Sequence, residues 1–278
     1  MKNQVFNWSR FMLALRKEIV ENWRQLVLAL IVLYAVMSIL MILGNWMTDG
    51  SEKAELFFMR DYVVMMVFSI STIIMASLSF RGLTTKPGRT ELFTSPSSMI
   101  EKFLVNVLIY VVGYMVAFLV IVQLADLTRL AVLWPAHSES FNVPGPICFL
   151  NFIGGFTSNL NAAPHIGHPE IFRNSMYIGL LASPGLYVLG SVLWPRLSFL
   201  KTFAAAYAIE IVVMIIGMIF IHGLGSFQNL AMLIINNIEN GNFAIVMLIA
   251  AAVQFVLYWV LSWVVFRRKD VVSRGIFH

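Results

Sequence analysis

Six runs of apolar residues, each about 20 long, restrict what this chain can fold into more than any other feature. They are Leu26–Trp46, Tyr62–Phe80, Phe103–Leu124, Tyr177–Trp194, Phe203–Ile221 and Phe243–Phe266. A hydrocarbon core about 30 Å thick is crossed by about 20 helical residues. With no water in that core, a helix is the fold that satisfies every backbone group within its own segment. Too little polar sequence remains to cover six such runs, since 59% of the 278 residues are hydrophobic and 12% charged. A soluble domain carries about twice that charged fraction. A cytosolic enzyme, a nucleic-acid-binding domain and a disordered chain are thereby excluded. The expected fold class is an all-α membrane protein with six transmembrane helices, forming a single transmembrane domain over residues 1–278.

The net charge of +5 points to anionic lipid rather than nucleic acid because of where the cations fall. With the N-terminus in the cytoplasm, 15 of the 19 Lys and Arg residues lie in inside segments. Only Lys53, Arg60, Arg129 and Arg173 lie outside. Each inside segment is more basic than its outside neighbours, so both termini are placed in the cytoplasm and the chain in the cytoplasmic (inner) membrane. The fourth run carries Pro184-Gly185, which predicts a broken or bent helix. Deleting that run would put the Arg267-Arg268-Lys269 cluster on the wrong side.

Four segments between the spans carry further information. In Val5–Gln25, Trp8, Met12, Leu15, Ile19, Trp23 and Leu26 recur at three- and four-residue steps, with Arg10, Arg16, Lys17, Glu21 and Arg24 between them. That period predicts an amphipathic helix over 5–25, either lying in the membrane interface or simply anchoring the first span. The loop Arg81–Lys102 contains the turn signal Lys86-Pro87-Gly88, a short helix over Arg89, Thr90, Glu91, Leu92 and Phe93, and a stop at Ser95-Pro96. Ser98 and Glu101 then fit a capping box, which starts the third helix near Met99. The outer stretch 125–176 is punctuated by Gly and Pro and is longer than a connection requires. Phe227–Ile238 reads as a short re-entrant or surface helix before the last span.

Chemistry-bearing motifs are sparse. There is no phosphate-binding G-x-x-x-x-G-K-[ST], no H-E-x-x-H and no G-x-S-x-G. Cys148 stands alone, which excludes a disulfide framework and cysteine-based metal clusters. His165 and His168 are separated by Gly167 and followed by Pro169, so a plain loop is expected there and no metal site. No cofactor and no catalytic residue is expected. Glu210 is the one ionisable residue deep in a span. A charge there costs roughly 2.5–3.5 kcal/mol, so its carboxyl must face protein or water, or be protonated. It is either a coupling site or a packing group bonded to a neighbour such as Gln123 or Tyr187, at a helix–helix or subunit contact.

The order of parts resembles the permease subunits of type-two ABC transporters, in a bacterial and poorly characterised branch. Local similarity is carried by Lys86-Pro87-Gly88-Arg89-Thr90-Glu91-Leu92-Phe93-Thr94-Ser95-Pro96-Ser97-Ser98-Met99-Ile100-Glu101-Lys102-Phe103-Leu104. It is similar to a segment K-x-x-R … P-[AS]-S-x-x-E-K-F-L of that branch. Two departures stand out: the largest outer loop follows the third span, and no fused ATPase domain is expected. The resemblance implies an exporter permease that pairs as a homodimer or heterodimer and performs no covalent chemistry. ATP would be bound by a separate ABC ATPase subunit docking on residues 89–93 of the 81–102 coupling loop. The alternatives are a non-transporting membrane accessory or anchor protein, and a secondary transporter using Glu210. An intramembrane enzyme ranks last.

Overall fold

The computed structural model describes residues 6–47, 53–136, 168–223 and 242–269. Every regular element is helical, with no strand among the described residues. The elements are α1 (Trp8–Met47), α2 (Lys53–Leu78), a 3₁₀ turn (Arg81–Thr84) and α3 (Lys86–Thr94). They continue with α4 (Met99–Val107), a π turn (Leu108–Gly113), α5 (Tyr114–Leu133), α6 (Pro169–Leu193), α7 (Ser198–Gly223) and α8 (Asn242–Arg267). Five continuous helical stretches among the described residues are long and apolar enough to cross a bilayer: α1, α4–α5, α6, α7 and α8. Tyr62–Leu78 of α2 is a further apolar helical segment. The chain is a multi-pass membrane protein.

Two compact units divide the helices. The first comprises Met1–Met75 and Pro96–Phe156, and so contains α1, most of α2, α4 and α5. Here α1 lies alongside the rod formed by α4, the π turn and α5. At one end the Asn7 amide donates to Glu101 Oε1 at 2.7 Å. At the other, the hydroxyls of Tyr34 and Thr128 are 2.6 Å apart. Both contacts join residues 94 apart in sequence, so the two helices run parallel and in register for about 40 Å. Met37, Met41, Val64, Val67, Ile109, Phe118 and Ile121 fill the core between them and α2, where Phe68 and Phe118 meet edge to face at 4.9 Å.

This register changes two expectations. No break separates an interfacial helix over 5–25 from the first span over 26–46: α1 is one helix of 40 residues, about 60 Å long. Neither Gly nor Pro occurs between Trp8 and Leu43 to interrupt the hydrogen-bond ladder. Nor is the whole apolar stripe on one side of the packing. Phe11, Ala14, Leu15 and Leu26 join the core, whereas Trp8, Met12, Ile19 and Trp23 stay exposed. The stretch 125–176 is helical at both ends. The helix continues to Leu133, followed by a 3₁₀ turn to Ala136, and α6 already starts at Pro169. Asp126 and Arg129 permit that extension, because their side chains pair at 2.8 Å and are almost wholly buried. Residues 137–167, with the apolar run 147–156 and His165, lie outside the described residues, as does the short helix expected over 227–238.

The second unit comprises Ala76–Ser95 and Thr157–His278. Its centre is the pair α6 and α8. Pro184 is fully buried within α6, and of the break or bend expected at Pro184-Gly185 there is no break, since the helix runs through it. Proline frees the carbonyl four residues back, here that of Leu180. Ser183 Oγ donates to Leu180 O at 3.1 Å, and Trp259 Nε1 of α8 donates to Leu181 O at 3.4 Å. Ser262 of α8 likewise donates to Gly185 O at 3.2 Å. Gly190 brings α6 onto α7, since a Cβ there would overlap the Thr202 hydroxyl and lie 2.8 Å from its Cβ. Small residues that let backbones approach are how helices pack in lipid.

Candidate functional site

The loop expected to couple the protein to a partner divides between the units at Ser95 and Pro96, and each part is built differently. In the second unit, Phe80 packs on Phe266 at 4.8 Å between ring centroids. The 3₁₀ turn Arg81–Thr84 follows, with Leu83 buried. Thr85 then caps α3, its side chain accepting from Gly88 N at 3.2 Å. Lys86-Pro87-Gly88 is therefore the first turn of a helix rather than a free turn, because proline suits a position whose N–H would be unbonded anyway. Gly88 is required there: a Cβ would overlap the Gly82 carbonyl oxygen and lie 3.0 Å from Thr85 Oγ1.

No residue of α3 is fully buried. Thr90 and Glu91 are exposed, while Arg89, Leu92 and Phe93 are half-buried. The five residues thus share one short surface helix, with its apolar members turned partly inward. Three other segments meet this end of the unit. Thr84 Oγ1 donates to Pro195 O at 3.2 Å, fastening the 3₁₀ turn to the α6–α7 connection. In that connection Leu197 takes a left-handed conformation at φ 55° with its side chain exposed. A bulky residue there holds about 1–3 kcal/mol of strain. Lys269, just past the end of α8, donates to Val192 O near the C-terminus of α6. A cation there suits the helix dipole. Its ammonium is held below the usual lysine range, by burial first and by the nearby Arg89 guanidinium second. Lys269 was not among the residues singled out from the sequence. Its place in a basic cluster was visible, but its approach to Arg89 depends on folding.

In the first unit, Ser98 and Glu101 form a reciprocal cap on α4. Glu101 N donates to Ser98 Oγ at 3.3 Å, and Ser98 N donates to Glu101 Oε2 at 2.8 Å. Glu101 does more than cap. Its other oxygen accepts from Asn7 N and from Arg10 Nη2, the latter at 3.2 Å. Asn7 itself caps α1, its Oδ1 accepting from Ser9 N at 3.0 Å. The Glu101 side chain is wholly buried and that of Arg10 is 39% exposed. One carboxylate therefore clasps the beginnings of two parallel helices. Asn ahead of an amphipathic period was a legible N-cap signal; its contact with Glu101 was not.

Glu210 lies midway along α7 and is exposed. Among the described residues it makes no hydrogen bond or ion pair; its charge bears only on the Tyr187 hydroxyl. The hydrogen bond to Tyr187 weighed from the sequence is not made. Among the described residues no three His, Cys, Asp or Glu side chains gather as a metal site. His168 is the exposed residue ahead of α6.

No protein-family model matches the chain, and no curated protein or solved structure is significantly similar to it.

Proposed function

We propose that the chain is the membrane-spanning permease subunit of an ATP-driven transporter of the ABC type, an exporter. In this reading six spans cross the cytoplasmic membrane, both termini are cytoplasmic, and two permease chains pair around the pathway. A separate ATPase chain binds ATP and docks on α3. The observation that carries the reading is the construction of α3: a capped surface helix with no fully buried side chain, standing on a 3₁₀ turn that Thr84 fastens to the α6–α7 connection. Beside it, Arg89 and Lys269 place two like charges close together. Force applied to α3 reaches α6 through Thr84 and Pro195, and α8 through Phe80 and Phe266. ATP-driven closure of two ATPase subunits can shift the pathway only by binding one of its states more tightly than the other.

Purification of the tagged chain from native membranes in mild detergent, with mass spectrometry of what co-elutes, tests this. A stoichiometric ATPase subunit is the expected result, reduced by Arg89→Glu and Glu91→Arg without loss of membrane insertion. Elution alone or with partners that are not ATPases, or full complex formation by both variants, refutes the reading.

A further inference from the structure

We propose that α7 is the face on which two copies of this chain pair, with the two Glu210 carboxyls meeting across a two-fold axis. The inference rests on the dimer in the function proposed above and names its interface. Among the described residues of its own unit, α7 is held at its start, where Ser198 and Thr202 are buried and Phe199 stacks on Tyr187 at 5.9 Å. From Phe203 to Met218 no residue of α7 is buried. Lipid can cover the apolar residues of that surface, but it cannot cover Glu210 without a cost of roughly 2.5–3.5 kcal/mol per chain. A polar complement is required.

The face around Glu210 is shaped for close approach. Ala206 lies one turn before it and Gly217 two turns after it on the same side of the helix. A Cβ on Gly217 would meet nothing within 4 Å, so packing inside one copy does not call for glycine there. Small residues at such spacing let two helix backbones come together in lipid. The complement itself is decided by charge. No other described span has Lys or Arg midway along its apolar run, and Arg129, near the end of α5, is paired with Asp126 in the other unit. A carboxyl that keeps its proton is donor and acceptor at once, and so is its own partner. A two-fold axis brings identical groups together, as most homo-oligomers do.

Single-cysteine chains, in a background with Cys148→Ser, test the interface by oxidative crosslinking in native membranes. Ala206→Cys and Gly217→Cys should give self-crosslinked dimers, and Val212→Cys, on the opposite side of α7, should not. Glu210→Gln should preserve crosslinking because an amide is also self-complementary. Glu210→Leu should reduce it about threefold, the change that a modest interhelical hydrogen bond produces. Equal crosslinking from all three positions, capture of a different protein, or monomers throughout in correctly inserted chains would overturn the proposal. An ATPase that co-purifies without self-crosslinking sinks the interface and leaves the permease reading standing. Self-crosslinking without an ATPase does the reverse.

Discussion

Removing the Glu101 carboxylate isolates the clasp that holds α1 to α4. In Glu101→Ala the amides of Asn7 and Ser98 and the guanidinium of Arg10 lose their shared acceptor. Loss of the reciprocal cap costs about 1 kcal/mol. The Asn7 amide is half-buried, so losing this acceptor adds about 1–2 kcal/mol, the lower part of the range for a buried donor. The Arg10 bond adds little, because that side chain is 39% exposed and water can replace the carboxylate. The total expected is about 2–3 kcal/mol, most of it from backbone donors. Glu101→Gln keeps one acceptor oxygen and should cost less than half as much. Reversible unfolding in mixed micelles measures these losses, and limited proteolysis should show the first turns of α1 cut sooner. The decisive comparison is Arg10→Ala. If it destabilises as much as Glu101→Ala, the ion pair rather than the two caps holds the clasp. If Glu101→Ala leaves both stability and proteolysis unchanged, the reasoning fails outright.

Three further outcomes follow from the geometry. Gly88→Ala forces a Cβ into the Gly82 carbonyl, so α3 should shift off its 3₁₀ turn and partner binding should fall while insertion persists; co-purification measures both. Asp126→Asn leaves Arg129 without its buried counter-ion and should cost about 3–5 kcal/mol of stability. Asp126→Leu combined with Arg129→Leu should cost far less, and equal losses in the two unfolding measurements would contradict the pairing. Lys269 has a folded-state pKa below its unfolded value, so its neutral form is favoured in the fold. Stability from this group should therefore rise as pH climbs through the folded value and level off at the unfolded one. Arg89→Gln, by removing the second cause of the depression, should shrink that alkaline gain in melting scans between about pH 8 and 11.

Much of this molecule was written locally. Hydropathy over about 20 residues marked the apolar helices, because the bilayer solvates a segment according to its own side chains. The Ser98–Glu101 cap was equally legible, since its two bonds join residues three apart. Glu210 also stood out from the sequence as an acid among apolar neighbours. Contacts between distant segments were not legible. The apolar stripe of α1 was plain, yet only its parallel packing on the α4–α5 rod turned Phe11 inward and left Trp8 and Trp23 outside. Pro184 signalled a broken or bent helix, yet α6 runs through it unbroken, with Trp259 of a helix far along the chain donating to the Leu181 carbonyl nearby. Asp126 and Arg129 looked like the start of a loop until mutual neutralisation let both be buried in α5. Amino-acid order determined which segments become helices and which enter the membrane, because those preferences are summed over neighbours. Tertiary structure alone decided which helix faces meet, because each such choice balances buried area, freed backbone groups and charge contributed by residues about a hundred positions apart.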